Sequence, residues 1–500
     1  MLRIFKDELL NPKNFVVTLE LVPGRESKGR NTDTLKGIAR DAFADGRVSA
    51  VSITDNPGGN PSLSPDVLGS EIFEYGLDVI VHFTCRDLNR VGMESRALQL
   101  ARMGMKNILA LTGDYSGKGF GGQGKPVFDF DSVILTAMLQ QLNHRLYASG
   151  DPDGFFTGCA VSPFKSTEGE TQAQYRKLDK KLMAGASFLI TQLGYDVTKF
   201  QELMTYLDQR GEHPAVMASV YLLSPRSARA MNNCRVPGAY IGDDLYNRVV
   251  REWRDMHTGL KYSIDRAARL GLMLKQMGYR GIHIGGIHRS FQTVAAILDR
   301  MDELEKQGQD LRVPEFATET TNVTALCTPA AGPASRGRLL ARISENLTEH
   351  LPYRALRAVH GVFFEKSSRL APVCRWGAQR VDRNNFAKRM FKRLLEDPVK
   401  VPLLSCQGCG DCAIQHVAFL CPESGCPKHT RNGACGGSRD GFCEVNTDRL
   451  CVWVRAYIRL KHCNKAHTLA RDFVPPRMWE LNGTSSWINF HLGRDHQKKK

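Results

Sequence analysis

The stretch DVIVHFTCRDLNRVGMESRALQLARMGMKNILALTGD, residues 78–114, decides the fold. It opens on a short apolar run rich in valine, isoleucine and phenylalanine, of the kind that forms a strand buried on both faces. A longer amphipathic segment follows over 89–104, and NILALTGD (107–114) is a second buried strand. Strand, long crossover, strand is the unit of a parallel sheet, because parallel neighbours need a connection about a dozen residues long.

The same alternation extends in both directions. FVVTLELV (15–22) and AVSITD (50–55) precede it. FFTGCAVS (155–162), FLITQL (188–193), AVMASVYLL (215–223) and GIHIGG (281–286) follow. The helical segment STEGETQAQYRKLDKKLMAGA (166–186) starts with a Ser/Thr cap and acidic residues in its first turn. Eight strands with intervening helices over about 300 residues predict a (β/α)8 TIM barrel, an α/β fold. An open doubly wound sheet is the alternative, and eight similar units favour closure.

Barrel chemistry sits at the carboxyl ends of the strands. Those ends carry Glu20, Thr54, Asp55, His82, Thr84, Gly113, Asp114, Gln192 and His283. One such group caps a helix as readily as it does chemistry, but several polar groups converging on one face are costly to bury without partners. The glycine-rich YSGKGFGGQGKPV after Asp114 has no Gly-Lys followed by Ser or Thr, which excludes a P-loop. It reads as a lid or a solvated connection. No G-x-G-x-x-G opens a helix after the first strand, which disfavours a Rossmann dinucleotide site.

DVIVHFTCRDLNR (78–90), NILALTGD (107–114) and KLDKKLMAGASFLITQL (177–193) together resemble methylenetetrahydrofolate reductases over roughly residues 12–305. The resemblance implies a flavin-holding barrel, with FAD or FMN, that interconverts 5,10-methylenetetrahydrofolate and 5-methyltetrahydrofolate. It implies Glu20 as the general acid that opens the folate ring, a task requiring a carboxyl kept protonated by burial. It implies Asp114 beside pterin and flavin, and Gln192 on the pterin edge. Thr54, His82, Thr112, Gly113, Asp114 and Lys181 match flavin contacts, with the Lys181 cation suited to a phosphate. Two segments depart from the family pattern: LELVPGR around Glu20 lacks the usual aromatics, and Ser162-Pro163-Phe164 stands where Tyr-Pro-Glu is common. They leave open how the adenosine end of the flavin is held and whether NAD(P)H is the donor.

Charge and cysteine divide the chain. From residue 331 onward there are 29 Lys+Arg against 14 Asp+Glu, a surplus of +15 within a total of +16. Eight of the 14 cysteines lie between Cys406 and Cys451: Cys406, Cys409, Cys412, Cys421, Cys426, Cys435, Cys443 and Cys451. The residues MLRIFKDELLNP hold no apolar signal core, and no stretch reaches the length of a membrane span, so a cytoplasmic protein is expected. In a reducing compartment such a cluster holds metal rather than disulfides. C-x2-C-x2-C suits a cubane, so iron–sulfur, as 4Fe–4S, is favoured over zinc, which His416 and His429 keep open. The segment CPESGCPKHTRNGACGGSRDGFCEVNTDRLCVWVRAYIRLK (421–461) also resembles the cysteine-rich C-terminal module associated with these reductases.

The expected organisation is a barrel over 1–310, a Pro/Thr/Ala-rich linker over 311–340 and a basic α+β cysteine-rich metal-binding domain over 341–500. Expected partners are tetrahydrofolate and an acidic electron carrier or partner reductase steered by the basic surplus, with the chain forming an oligomer. Nucleic acid is disfavoured, since no aromatics interleave the basic residues in an RNA-binding pattern. The alternatives are a corrinoid-linked folate methyltransferase, against which GIHIGG lacks the aspartate of a cobalamin motif, and a nucleic-acid-binding zinc module on a degenerate barrel.

Overall fold

A computed structural model describes residues 4–308, 311, 316 and 344–498. Eight parallel strands close into a barrel: β1 (Val16–Leu21), β2 (Ala50–Ile53), β3 (Asp78–Thr84), β4 (Asn107–Leu111), β5 (Phe156–Val161), β6 (Phe188–Thr191), β7 (Ala215–Tyr221) and β8 (Gly281–Gly285). Each pairs with its sequence neighbours, and β1 closes against β8 with Thr18 opposite His283. Closure brings two backbones close together at Gly281, where a Cβ would stand 2.1 Å from the Val16 carbonyl oxygen. Only glycine fits that seam.

The amino-terminal end of the barrel is sealed by apolar packing. The short helix Phe5–Leu10 buries Phe5 and Leu9 completely, against Phe156, Phe188 and the first residues of other strands. The Phe5 ring meets Phe156 and Phe188 edge-on at 6.0 and 5.4 Å, and its N–H donates to Asp78 at the start of β3. With that end filled, polar side chains collect in the upper layers, towards the carboxyl ends. Inward-facing positions alternate along each strand. Thr18 and Glu20 on β1 therefore share the interior with Ser52, His82 and His283.

The segment after Asp114 forms a two-residue hairpin, Lys118–Gly119 against Gly122–Gln123, with Phe120 fully exposed at its tip. The hairpin is tied down by Gly117 donating to the Gly59 carbonyl and by Gln123 donating to the Ser116 carbonyl.

The chain divides into two compact units, one of residues 1–127, 135–165 and 181–322, the other of residues 128–134, 166–180 and 323–500. The second unit thus takes in two short segments from the sequence of the barrel region. Apart from Leu311 and Phe316, the linker expected over 311–340 lies outside the described residues. Among the described residues the second unit is helical, its β structure limited to the antiparallel bridges Arg439–Phe442 and Phe442–Leu450. Its core gathers on helix Val452–Lys461, where Trp453 is buried and its indole N–H donates to Thr430. No helix among the described residues is long and apolar enough to cross a membrane.

Candidate active site and cysteine centres

At the upper end of the barrel, Glu20, His82 and His283 bring a carboxylate oxygen and two ring nitrogens within 4.8 Å of one another. Glu20 is part-buried as a residue while its carboxyl is enclosed, and burial pushes its pKa up to about 7. Burial likewise pulls His82 down to about 4. His283 falls to about 3, through burial first and the neighbouring His82 second. Near neutral pH the cluster therefore holds two uncharged imidazoles and a carboxyl that keeps its proton to higher pH than an exposed one. Both ring nitrogens of His283 are engaged by hydroxyls, Thr18 at 2.7 Å and Ser52 at 3.3 Å. That arrangement suits proton handling better than metal ligation.

Two buried polar atoms here lack any protein partner, Thr54 Oγ1 and His82 Nε2. Such groups are costly to leave unpaired, and they mark the wall where a bound group would be recognised. Ser162 Oγ, in the segment that departs from the family pattern, is also buried without a partner. Phe164 instead packs its ring edge-on against Phe200 at 4.8 Å.

Asp114 follows β4, and its carboxylate accepts the Gly58 N–H at 2.8 Å. The nearby Arg86 guanidinium is buried, pairs with Asp87 and donates to the Asp114 carbonyl. Gly113 adopts φ of +90°, so the chain turns sharply between Thr112 and Asp114. Gln192 lies just past β6, with Oε1 accepting from Leu193 N–H at 2.8 Å and Nε2 donating to the Pro237 carbonyl at 3.4 Å. Lys181 donates to the Ala160 carbonyl of β5 at 2.5 Å. Asp55, one of the polar strand ends, is occupied structurally: it accepts from Thr84 N–H and Oγ1 and pairs with Arg96 at 2.8 Å. His283 and the β7 residue Tyr221, whose hydroxyl is pushed up by burial and then by Glu20, complete the surroundings of the acid. No local motif marks Tyr221.

In the second unit the eight cysteines sort into two sets of four. The Cys409 thiol is pushed up to about 12 by burial and then by neighbours that include Cys412 and Cys421, while Lys400 feels both Cys412 and Cys406. Cys426, Cys435, Cys443 and Cys451 line one small pocket walled by Trp453 and Lys428. Sequence order alone leaves this partition open, since 421 and 426 are close neighbours that fall on different sides of it.

The first set is framed by charge. Lys400 reaches Cys412 Sγ at 3.5 Å and is held from behind by Ser486 Oγ at 2.7 Å and Glu396 at 3.3 Å. Gly408 N–H points at Cys406 Sγ, 3.4 Å away. Gly410 has φ of +73°, and a Cβ there would stand 2.0 Å from the Leu481 carbonyl. Asp411, between two of the cysteines, is fully buried and bonded to Arg431 at 2.9 Å and His496 at 2.5 Å. Burial opposes its charge, yet His496 and Arg431 hold it well below the usual carboxylate range. This pins the cysteine loop. Its proximity to Asp495 and His496 is therefore a structural lock. In the second set Cys435 Sγ donates to Glu444, which also pairs with Lys428. His429 meets the Glu423 carbonyl through Nδ1, and His416 has Nδ1 on Asp472 and Nε2 on His496, so both ring nitrogens of His416 are engaged away from the sulfurs.

Fold and site define a closed (β/α)8 barrel with an enclosed acid towards the carboxyl ends of its strands, joined in one chain to a cysteine-rich unit. The sequence model described as methylenetetrahydrofolate reductase matches residues 6–302, and the one described as methylene-tetrahydrofolate reductase C terminal matches 388–480. The chain belongs to the methylenetetrahydrofolate reductase family. Methylenetetrahydrofolate reductase 1 of Schizosaccharomyces pombe is 24% identical over 205 residues, covering 39% of this chain and 31% of that protein. The probable methylenetetrahydrofolate reductase (NADPH) of Caenorhabditis elegans is 25% identical over 250 residues, covering 48% and 35%. The chain thus spans about a third of the length of these curated relatives. A Clostridium thermocellum protein, solved with two copies of 5-methyl-5,6,7,8-tetrahydrofolic acid, is similar at a TM-score of 0.42 and 12% identity, covering 60% of this chain and 99% of that one.

Proposed function

We propose that this chain is a flavin-dependent oxidoreductase that interconverts 5,10-methylenetetrahydrofolate and 5-methyltetrahydrofolate, with a cysteine-held metal centre relaying electrons. The observation that carries the reading is Glu20, a carboxyl raised to about 7 by enclosure in the barrel of a family member. Ring opening of the methylene compound needs a proton on N10, which exposes an N5 iminium able to accept hydride. A carboxyl that is still substantially protonated near neutral pH can deliver that proton. With His82 and His283 neutral, neither imidazole adds a positive charge that would lower the Glu20 pKa. Asp114 would accept hydrogen bonds from the pterin amide and amino group, and Gln192 would offer donor and acceptor to the same ring.

A flavin fits the chain's residues. Thr54 Oγ1 and His82 Nε2 are buried without partners, as expected of atoms that await one. Thr112, Gly113, Asp114 and Lys181 would complete the contacts. A flavin bound there supplies the hydride.

The cysteines fit iron–sulfur better than zinc. Four sulfurs at about 2.3 Å from one zinc would stand ~4 Å apart. Among the described residues no three cysteine sulfurs come within 4.8 Å of one another. Wider spacing suits the larger body of a 4Fe–4S cluster, which supplies single-electron transfer. An acidic carrier or partner reductase would then supply the electrons through the cysteine unit, with NAD(P)H as the alternative donor.

Anaerobic purification followed by absorption spectroscopy and metal analysis tests the whole reading. Flavin bands, iron and labile sulfide are expected, with bleaching of the flavin reversed by methylenetetrahydrofolate. A colourless zinc protein would refute it.

A further inference from the structure

The helices that precede the cysteines carry their apolar side chains outwards. The continuous helical rod 385–404 is inverted: Glu396 and Lys400 are 3% and 6% exposed, whereas Phe386, Leu394 and Leu403 are 71%, 62% and 65% exposed. Helix Leu351–Phe363 buries Tyr353 on one side and leaves Leu351, Val359 and Val362 exposed on the other. Between them, helix Ala371–Asp382 exposes Val373 and Trp376, with the Arg380 guanidinium over the Trp376 ring at 5.0 Å. Single exposed apolar residues are ordinary, but three successive helices presenting them are the signature of a covered surface.

Charge selects the occupant. Arg369, Arg375, Arg383, Arg389 and Arg393 are exposed and have no acidic partner among the described residues. The only exposed carboxylate over 344–404 is Glu365; Glu345, Asp382 and Asp397 are paired with His350, Arg494 and Lys392. A second copy of the chain would set this basic surface against itself, which costs affinity in a two-fold interface. A lipid surface meets the charge pattern but not the location. The rod's inner side places Lys400 at 3.5 Å from Cys412 Sγ, so an occupant of the outer side lies about one helix width, ~10 Å, from the first cysteine set.

We infer that the helical face over residues 347–403 is the seat of a second, acidic redox protein, held as a stable subunit beside the first cysteine set. This rests on the reading of that set as an electron-relaying centre. The exposed apolar side chains mark a lasting interface, since permanent interfaces are more hydrophobic than transient redox encounters. The unpaired arginines would meet the acidic protein's carboxylates.

The test places a photo-crosslinking benzoylphenylalanine at Phe386 or Val373 of the full chain, expressed in its native cells. The expected product is one acidic, redox-cofactor-containing protein, identified by mass. In purified form it should rebind the wild-type chain and bind Trp376→Asp and Leu394→Asp at least about 100-fold more weakly. Cross-linking only to another copy, with a dimer in light scattering that these substitutions dissolve, overturns the inference. So does flotation with phosphatidylcholine–phosphatidylglycerol vesicles that the substitutions abolish, and so does the absence of any cross-linked protein. Iron, sulfide and folate turnover with a chemical reductant are measured on the same samples. If these are absent from the wild type, the functional reading fails; if they are normal while rebinding ignores the substitutions, only the docking surface fails.

Discussion

The ammonium of Lys400 lies 3.5 Å from the sulfur of Cys412, fixed there by Ser486 and Glu396 in a setting closed to solvent. A buried cation beside a sulfur ligand favours the more reduced, more negative state of whatever that sulfur holds. Lys400→Met should lower the reduction potential of the first centre by on the order of 60–120 mV, ~10- to 100-fold in the one-electron equilibrium. Redox titration followed by electron paramagnetic resonance measures it. An unchanged potential with intact metal would remove Lys400 from that role.

Glu20→Gln keeps the shape of the acid and removes its proton. Folate turnover should drop about 10²–10⁴-fold, while flavin content is retained. In the wild type, folate reduction should decline as pH rises through about 7, where burial places the Glu20 pKa. A pH profile of single-turnover reduction that is flat between 6 and 8, the window set by that pKa, would argue against Glu20 as the acid.

The same shift has a stability consequence of defined sign. The folded chain binds the Glu20 proton more tightly than the unfolded one, its pKa rising from 4.5 to about 7. Stability from this group is therefore complete below 4.5 and is lost as pH rises towards 7, by up to about 3 kcal/mol. Glu20→Gln should melt higher than wild type at pH 8 and gain nothing at acid pH. Thermal melts across this range measure the difference.

Asp114 and Gln192 should separate kinetically. Asp114→Asn keeps an acceptor for Gly58 N–H but loses the anionic charge, so kcat for folate reduction should fall more than flavin binding does. Gln192→Ala should chiefly raise the folate KM. Steady-state kinetics with flavin content measured in parallel decide both. Unchanged folate kinetics in the two variants would move the pterin site elsewhere.

The two cysteine sets should load independently. Wild type should contain roughly eight irons, and Cys412→Ala or Cys443→Ala roughly four, if each set holds one 4Fe–4S cluster. Metal analysis and labile-sulfide assay report the count. Loss of all iron from either variant would show a single shared centre.

The barrel was legible in the sequence because its strands are buried on both faces. Runs such as DVIVHFT and AVMASVY are rich in apolar β-formers, and the structure places strands at Asp78–Thr84 and Ala215–Tyr221. The polar strand ends were legible for the complementary reason, since Glu20, His82 and His283 interrupt apolar runs that have no other use for them. Cysteine spacing marked a sulfur-rich region without disclosing the sets, because Cys421 and Cys426 are separated by a short turn that sends them to different neighbours. NNFAKRMFKRLLED (384–397) carries apolar residues at helical spacing, but that spacing does not disclose the orientation of the helix. Its periodicity favours the apolar face inward, whereas Ser485, Ser486 and Cys412 draw Glu396 and Lys400 in. Local sequence settles which backbone forms, through propensity and pattern repeated over a few residues. The pKa of Glu20, the bond between Thr18 and His283 and the ring of partners around Lys400 depend on groups far apart in the chain. Desolvation and charge pairing are set by what lies in space around a group, and only the closed tertiary structure decides that.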